Sequence, residues 1–217
     1  MGKDNLNFFK IILCFLFLPL FFSCAQNLPE IKIAVPTIIF DYEAQDSLPK
    51  GRLSIFVESV SDVRRYESIS IKSIQTNYIW DTDEIVMFKN SDKMYAGYTN
   101  FIVPEGELIP SGEYQICYMN ADGEEQTLNI NLNYDSEFYQ KTASEIPDFF
   151  KTKRGSVSLM IFNANKNVLY FGDKKDDLNN SRKIWNKYRD AAFYQEIWTT
   201  TDNSVMCVLP LTEVVPE

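Results

Sequence analysis

The sequence predicts a mainly β protein in which two sheets pack face to face as a sandwich. Several short stretches alternate apolar and polar residues, a pattern typical of strands with one buried face, and residues 69–75 alternate most clearly. Gly, Pro, Asn and Asp residues separate these stretches at short intervals, as turns do. After residue 134, helical patterns join the strand patterns. We therefore predict a β-sandwich over residues 34–134, followed by a small α+β region over residues 135–217.

Residues 1–23 have the composition of an export signal. Lys3 and Lys10 give the start a positive charge, and an almost unbroken apolar run follows over residues 11–22. The run is shorter than the roughly 20 apolar residues that a membrane-spanning helix needs, and Pro19 disfavours a helix within it. We therefore expect a cleaved export signal rather than a membrane-spanning anchor.

The end of the signal, Phe-Phe-Ser-Cys at residues 21–24, resembles the lipobox of bacterial lipoproteins. In that family the Cys thiol carries a diacylglyceryl group, and the chain is cut just before it. The resemblance implies a lipid on Cys24, a lipidated tether over residues 24–33, and attachment to a membrane of the bacterial cell envelope, inner or outer. The alternative is an ordinary signal peptide, which would release a secreted soluble domain.

The chain is acidic, with 21 basic residues, 30 acidic residues and a net charge of −9. Proteins that bind nucleic acid present clusters of Lys and Arg to the phosphates, and the largest basic cluster here is the short run at residues 151–154. Anionic lipid headgroups would also repel such a chain. We therefore expect no nucleic-acid partner, and we expect lipid rather than charge to hold the protein at a membrane.

The sandwich region opens with an apolar, β-branched stretch at residues 31–42 that contains Pro36. Because proline cannot donate a backbone hydrogen bond, this stretch is predicted to be an edge strand with a bulge. The alternating pattern predicts further strands at residues 53–60, 69–75, 85–89, 94–103, 108–118 and 126–132.

The predicted strand at residues 108–118 begins with Leu108, Pro110 and Tyr114. This spacing is similar to the tyrosine corner of fibronectin type III and immunoglobulin-like sandwiches. The resemblance implies a structural role for Tyr114, whose hydroxyl would bond the backbone of the preceding loop. The alternation also predicts that Tyr114, Ile116 and Tyr118 face the core.

Residues 135–217 mix helical and strand patterns and form either a separate domain or a cap on the sandwich. Ile184, Tyr188 and Ala191 recur at helical spacing after capping residues at 179–181. The predicted elements are a short helix at residues 136–144 that ends before Pro147, strands at residues 157–162 and 168–171, a helix at residues 182–198 and a strand at residues 204–211.

Two cysteines remain once the signal is removed and Cys24 is lipidated, namely Cys117 and Cys207, both in predicted strands. In an oxidising envelope they could form a disulfide. The alternative is two separately buried thiols, which pack as small hydrophobic groups.

The chain contains no histidine, which excludes Ser-His-Asp and Cys-His catalysis and most catalytic zinc sites. The sequence also lacks a Gly-x-Ser-x-Gly elbow, a phosphate-binding Gly loop and a Cys-x-x-Cys pair. We predict no metal and no cofactor, because three carboxylate clusters that could ligate calcium lack the spacing of an EF-hand and suit solvated turns. These clusters are Asp81/Asp83/Glu84, Asp122/Glu124/Glu125 and Asp173/Asp176/Asp177.

Several Tyr and Trp residues suit carbohydrate or protein recognition if they are exposed, and core packing if they are buried. They are Tyr66, Tyr78, Trp80, Tyr95, Tyr98 and Trp198.

Together these features predict a lipid-anchored envelope protein that acts as a non-catalytic binding or scaffolding module and not as an enzyme. The tether and the missing catalytic groups point to this function, with another envelope protein or a glycan as the partner. One alternative is an envelope glycan hydrolase, which would need two Asp or Glu carboxylates about 5–10 Å apart in a deep cleft. Another is a carrier of apolar ligands, which would need a closed apolar cavity.

Overall fold

The computed structural model describes residues 31–59, 66–104, 106–121 and 123–215, which form a mainly β fold with two sheets. The predicted export signal and Cys24 lie outside these residues. The helices are α1 (Ile146–Lys153) and α2 (Ser181–Lys187), and 3₁₀ turns lie at Ser136–Gln140, Ala143–Glu145 and Asp176–Leu178. No described helix is long and apolar enough to cross a bilayer. The strands are β1 (Ile31–Asp41), β2 (Lys50–Ser59), β3 (Tyr66–Ser73), β4 (Ile79–Thr82), β5 (Val86–Asn90), β6 (Lys93–Ile102), β7 (Gly112–Asn120), β8 (Glu125–Leu132), β9 (Ser156–Asn163), β10 (Val168–Asp173), β11 (Ala191–Thr199), β12 (Val205–Val208) and β13 (Thr212–Glu213).

The larger sheet has the order β10-β9-β11-β12-β1-β2-β6-β5, with β13 also paired to β11. β1 runs antiparallel to β2 from Ile31 onward, and parallel to β12 from Ile38 to Asp41. Pro36 lies before the stretch that pairs with β12, and no described strand pairs with β1 on that side there, so a residue without an N–H group is tolerated. β1 is therefore an edge strand only in its first half, and the prediction of an edge strand is wrong for residues 38–41.

The smaller sheet, in the order β4-β3-β7-β8, packs against β1, β2 and β6 of the larger sheet. Alternate residues of β7, namely Tyr114, Ile116 and Tyr118, are fully buried between the sheets, as the period of two predicts. The Tyr118 hydroxyl donates a hydrogen bond to the Ala96 carbonyl oxygen on β6 at 2.9 Å, which ties the two sheets together. The core between them includes Ile38, Phe40, Leu53, Ile55, Val57, Ile69, Ile71 and Phe101.

The strands that follow residue 134 extend the larger sheet. β10, β9, β11 and β12 are antiparallel neighbours, and β12 joins them to β1. α2 and the 3₁₀ turn before it cover this extension through a second buried cluster. The cluster comprises Leu159, Ile161, Leu178, Ile184, Ala191 and Val214. The described C-terminal region thus shares one continuous sheet with the sandwich.

The first helix of the C-terminal region differs from its prediction. The segment at residues 136–144 forms 3₁₀ turns, and α1 starts at Ile146 with Pro147 in its first turn. Proline suits this position because the first turn of a helix leaves N–H groups without intrahelical partners. The prediction that Pro147 ends a helix is therefore wrong, since it helps to begin one.

The helix predicted at residues 182–198 is wrong in its second half. Asn180 caps α2, because its side chain accepts a hydrogen bond from the Lys183 N–H group at 2.9 Å. The helix ends at Lys187, and Ala191–Thr199 form β11 between β9 and β12. Aromatic and β-branched residues make up over half of this segment, so β propensity and pairing on both sides outweigh the helical spacing of its apolar residues.

Tyr114 lies near the start of β7, and its hydroxyl donates a hydrogen bond to the Pro110 carbonyl oxygen at 2.6 Å. Leu108 is 49% exposed, whereas the next residue, Ile109, is buried in the core. The Tyr134 hydroxyl donates to the Ile109 carbonyl oxygen at 2.5 Å, so two tyrosines hold this loop. Burial raises the pKa of Tyr114 to about 12, so its hydroxyl stays protonated and able to donate well above neutral pH.

Candidate binding groove

A groove of about 580 Å³ lies where the end of β8, the end of α1 and the β11–β12 turn meet. Its volume is within the range of about 300–1,000 Å³ that is typical of small-molecule sites. Three separate segments of the chain line it. The lining residues are Asn133, Tyr134, Asp135, Phe138, Lys153, Thr200, Thr201, Asp202, Ser204 and Val205.

The floor of the groove is apolar, and Tyr134 is the floor residue whose side chain remains partly accessible. Phe138 and Val205 are each 1% exposed, and Tyr134 is half-buried. The Phe138 ring stacks on Phe40 of β1 with the ring centres 5.5 Å apart, and it lies 5.6 Å from the ring of Phe150 on α1. The core of the sandwich therefore supports the floor, on the side of the larger sheet that faces the smaller sheet.

An ion pair forms one part of the rim. Lys153 Nζ lies 2.7 Å from an Asp135 carboxylate oxygen, and it also lies 5.0 Å from the centre of the Phe149 ring. Lys153 and the Glu137 N–H group donate to Asp135 and hold the pKa of that carboxyl below its usual value. The same pairing raises the pKa of Lys153. Both groups are therefore charged at neutral pH.

The tight turn between β11 and β12 forms another part of the rim, and hydrogen bonds to the Asp202 side chain stabilise this turn. Its carboxylate accepts hydrogen bonds from the Thr200 hydroxyl at 2.7 Å and from the Ser204 N–H and hydroxyl groups at 3.1 and 2.8 Å. These donors lower the pKa of Asp202. Asn203 takes the left-handed conformation, with φ at 59°. Asp202 is thus an ionised acceptor that the turn holds in place.

The groove places hydrogen-bonding groups around an apolar floor. Asp135 and Asp202 accept, Lys153 donates, and Asn133 and Thr201 add neutral polar groups. This arrangement fits a ligand with hydroxyl groups at its edges and an apolar face, as a sugar ring has, because charged side chains form strong hydrogen bonds with hydroxyls. A glycosidase also needs one carboxyl with a raised pKa as proton donor, whereas the pKa values of both rim carboxyls are lowered.

The two cysteines for which a disulfide was one of two possibilities do not come together. Cys117 is half-buried on β7 of the smaller sheet, Cys207 is fully buried on β12 of the larger sheet, and both are free thiols. Burial raises the pKa of both thiols, and that of Cys207 to about 12. Leu108, Pro110 and Tyr114 do not line the groove either, since Tyr114 stabilises the loop before β7.

The two tryptophans singled out in the sequence pack against the core. Trp80 stacks on Tyr78 with the ring centres 5.4 Å apart, and its indole N–H donates to the Ile102 carbonyl oxygen at 2.6 Å. The Trp198 ring lies 5.6 Å from that of Phe150. Neither tryptophan lines the groove.

The acidic clusters at residues 81–84 and 173–177 consist of exposed side chains. Asp177 pairs with Lys187 at 2.6 Å, and Glu84 accepts a hydrogen bond from the Tyr98 hydroxyl at 3.2 Å. Within the part of the chain that the structure describes, no three His, Cys, Asp or Glu side chains come together as metal ligands. Asp122, from the remaining cluster, lies outside the described residues.

The groove leaves no pattern in the sequence, because Asp135, Lys153 and Asp202 belong to segments that only the fold brings together. The one local signal is the basic run at residues 151–154, which contains Lys153.

Comparisons with known proteins do not assign the chain to a family. No protein-family model matches the chain, and the searches of curated proteins and of solved structures give no significant match.

Proposed function

We propose that the chain is an exported bacterial lipoprotein whose folded part is a non-catalytic binding module for a glycan. A lipid on Cys24 holds it in a membrane of the cell envelope. The observation that carries the binding role is the groove, in which Asp135, Lys153 and Asp202 surround an apolar floor. A protein tethered in the envelope meets glycans at the membrane surface, and their hydroxyl groups match this rim.

We also propose that residues 34–134 form an immunoglobulin-like or fibronectin-like sandwich, with residues 135–217 as an α+β addition. The sheet orders β1-β2-β6-β5 and β4-β3-β7-β8 correspond to strands A-B-E-D and C′-C-F-G of that architecture. Tyr114 then falls at the start of strand F, where a tyrosine corner occurs, and its hydrogen bond to Pro110 supports the assignment. Such sandwiches carry their binding sites on loops and added segments, as the groove does here.

Intact mass and detergent partitioning of protein made in a bacterial host test the anchor. We expect the wild-type chain to lose residues 1–23, to gain a diacylglyceryl-sized mass and to enter the detergent phase almost completely. Cys24→Ala removes the thiol that carries the lipid, so this variant should remain unmodified and stay out of the detergent phase. Cys117→Ala, which removes a different thiol, should partition as the wild type does. An unmodified, water-soluble wild type would contradict the anchor and leave a secreted binding domain.

Saturation-transfer NMR with soluble oligosaccharides released from bacterial envelopes tests the groove. Lys153→Gln removes a charged donor, and we expect its affinity to fall at least tenfold, because a hydrogen bond to a charged group contributes about 1.5–3 kcal/mol. Lys151→Gln is the matched control, since Lys151 lies on the same helix and pairs with Asp148 at 2.5 Å, outside the groove. Equal binding by the two variants would count against a glycan site in the groove.

A further inference from the structure

One end of the larger sheet carries apolar side chains on the surface that faces away from the smaller sheet. The strand register aligns β1, β2, β6 and β5 so that two rows of side chains cross this surface. One row is Val35, Phe56, Gly97 and Val86, and the next is Ile33, Glu58, Tyr95 and Phe88. We call the apolar and aromatic members the outer patch, which comprises Ile33, Val35, Phe56, Val86, Phe88 and Tyr95.

The rings of the outer patch pack on one another. The Phe88 ring stacks on Tyr95 with the ring centres 5.1 Å apart, and it meets Phe56 edge-to-face at 5.0 Å. Glu58 lies within the same rows, but its carboxylate pairs with Lys93 at 2.8 Å and its side chain is only 11% exposed. The outer patch is therefore a continuous apolar surface in which this carboxylate is neutralised.

Four apolar side chains of the outer patch are exposed, and Phe56 and Tyr95 are half-buried. Val35 and Phe88 are each 41% exposed, Val86 is 48% exposed and Ile33 is 51% exposed. All five residues of β5 are exposed, and no described strand pairs with its free edge. Contiguous apolar exposure of this kind marks a surface that contacts another protein or a membrane.

The chain before the outer patch indicates which of these it contacts. β1 begins at Ile31, seven residues after Cys24, and its residues Ile33 and Val35 belong to the patch. Seven extended residues span at most about 25 Å, so a lipid inserted at Cys24 keeps this end of the sheet beside the bilayer. We infer that the outer patch docks on the lipid surface of the membrane that holds the anchor. This inference rests on the proposed lipid at Cys24.

The chemistry of the patch specifies the lipid. Aliphatic and aromatic side chains insert at the boundary between headgroups and acyl chains. The net charge of −9 opposes contact with anionic headgroups, so docking requires zwitterionic lipid and weakens as anionic lipid is added. Docking through the outer patch also turns the other side of the larger sheet, where the groove lies, away from the bilayer.

Spin labels at two positions test the docking in the lipidated chain, reconstituted in phosphatidylcholine vesicles. Cys117→Ser removes the half-buried thiol, and Cys207 is fully buried. Asn90→Cys places a label on β5, two residues beyond Phe88 on the same face, and Asn129→Cys places one on β8 of the smaller sheet. We expect the label at position 90 to collide several times more often with membrane-dissolved oxygen, relative to a water-soluble nickel complex, than the label at position 129.

Substitutions within and outside the patch sharpen the test. Phe88→Asp combined with Val35→Asp should abolish the difference between the two labels, while the protein still floats with the vesicles. Ile79→Asp changes a residue that is 56% exposed on β4 of the smaller sheet, and it should leave the difference intact. If the aspartate substitutions disturb folding, the comparison of the labels at positions 90 and 129 in the chain without them still tests the docking.

Each contrary outcome has a distinct meaning. A protein that floats with the vesicles but shows equal accessibility at both positions has the anchor without docking, which overturns this inference alone. Spin–spin coupling between labels at position 90 of two copies would make the outer patch a dimer interface and would also overturn it. A chain that carries no lipid mass on Cys24 and does not float would overturn the anchor and the docking together.

Discussion

Phe40→Ala should lower the free energy of unfolding by about 3–5 kcal/mol, the range typical of truncating a buried aromatic residue to alanine. Phe40 is fully buried on β1. Its ring lies 4.8 Å from that of Tyr139, 5.5 Å from Phe138 and 6.2 Å from Tyr134. All three partners belong to the segment after β8 that lines the groove or supports it. The substitution therefore opens a cavity where this segment attaches to the larger sheet, and it removes aromatic contacts of about 0.5–1.5 kcal/mol each.

Equilibrium unfolding in urea, followed by tryptophan fluorescence, would measure the loss as a lower midpoint with an unchanged slope. Phe171→Ala is the matched control, because Phe171 is 62% exposed on the edge strand β10 and its truncation should change stability by less than about 0.5 kcal/mol. Since Phe138 stacks on Phe40 and forms the floor of the groove, Phe40→Ala should also weaken glycan binding. A loss below about 1 kcal/mol would mean that this ring does not hold the segment in place.

Local patterns predict most strands of the sandwich, because the faces of a strand alternate within a few residues. The alternation at residues 69–75 corresponds to β3, in which Ile69 and Ile71 are fully buried and Lys72 is exposed. β4 is missed, since Asp81 and its neighbours have the composition of a turn and form a strand by pairing with β3. Alternation shows which face of a strand is buried, but it does not identify the strand that pairs with it.

Contacts between distant segments leave no such local pattern. β12 pairs with β1 from the opposite end of the chain, and this pairing places β11 within the sheet. The segment at residues 191–198 is therefore a strand, although its apolar residues recur at helical spacing. The groove also depends on contacts between distant segments of the chain. The turn that leads into β12 places Asp202 in the same groove as Asp135 and Lys153.

Gly97→Ala should destabilise the protein by about 3 kcal/mol, at the upper end of the usual cost of overpacking. Gly97 lies on β6, between β2 and β5. A Cβ atom at this position would clash with the Ile55 carbonyl oxygen and would lie 2.7 Å from the Phe56 Cα atom. Both are backbone atoms of β2, so no side-chain rotation can relieve the clash and the two strands must separate.

A glycine-to-alanine substitution in another strand shows whether contact with backbone atoms causes the loss of stability. Gly172→Ala on β10 would place its Cβ atom 2.9 Å from the hydroxyl of Tyr170, the far end of a side chain that can move away, and we expect a loss below about 1 kcal/mol. Because the Phe56 ring also lies against Gly97, hydrogen exchange in Gly97→Ala should rise in β2 and β6 before it rises in β9 and β11. If Gly97→Ala is as stable as Gly172→Ala, then β2 and β6 do not approach closely enough to require glycine, and the packing of Phe56 in the outer patch needs another explanation.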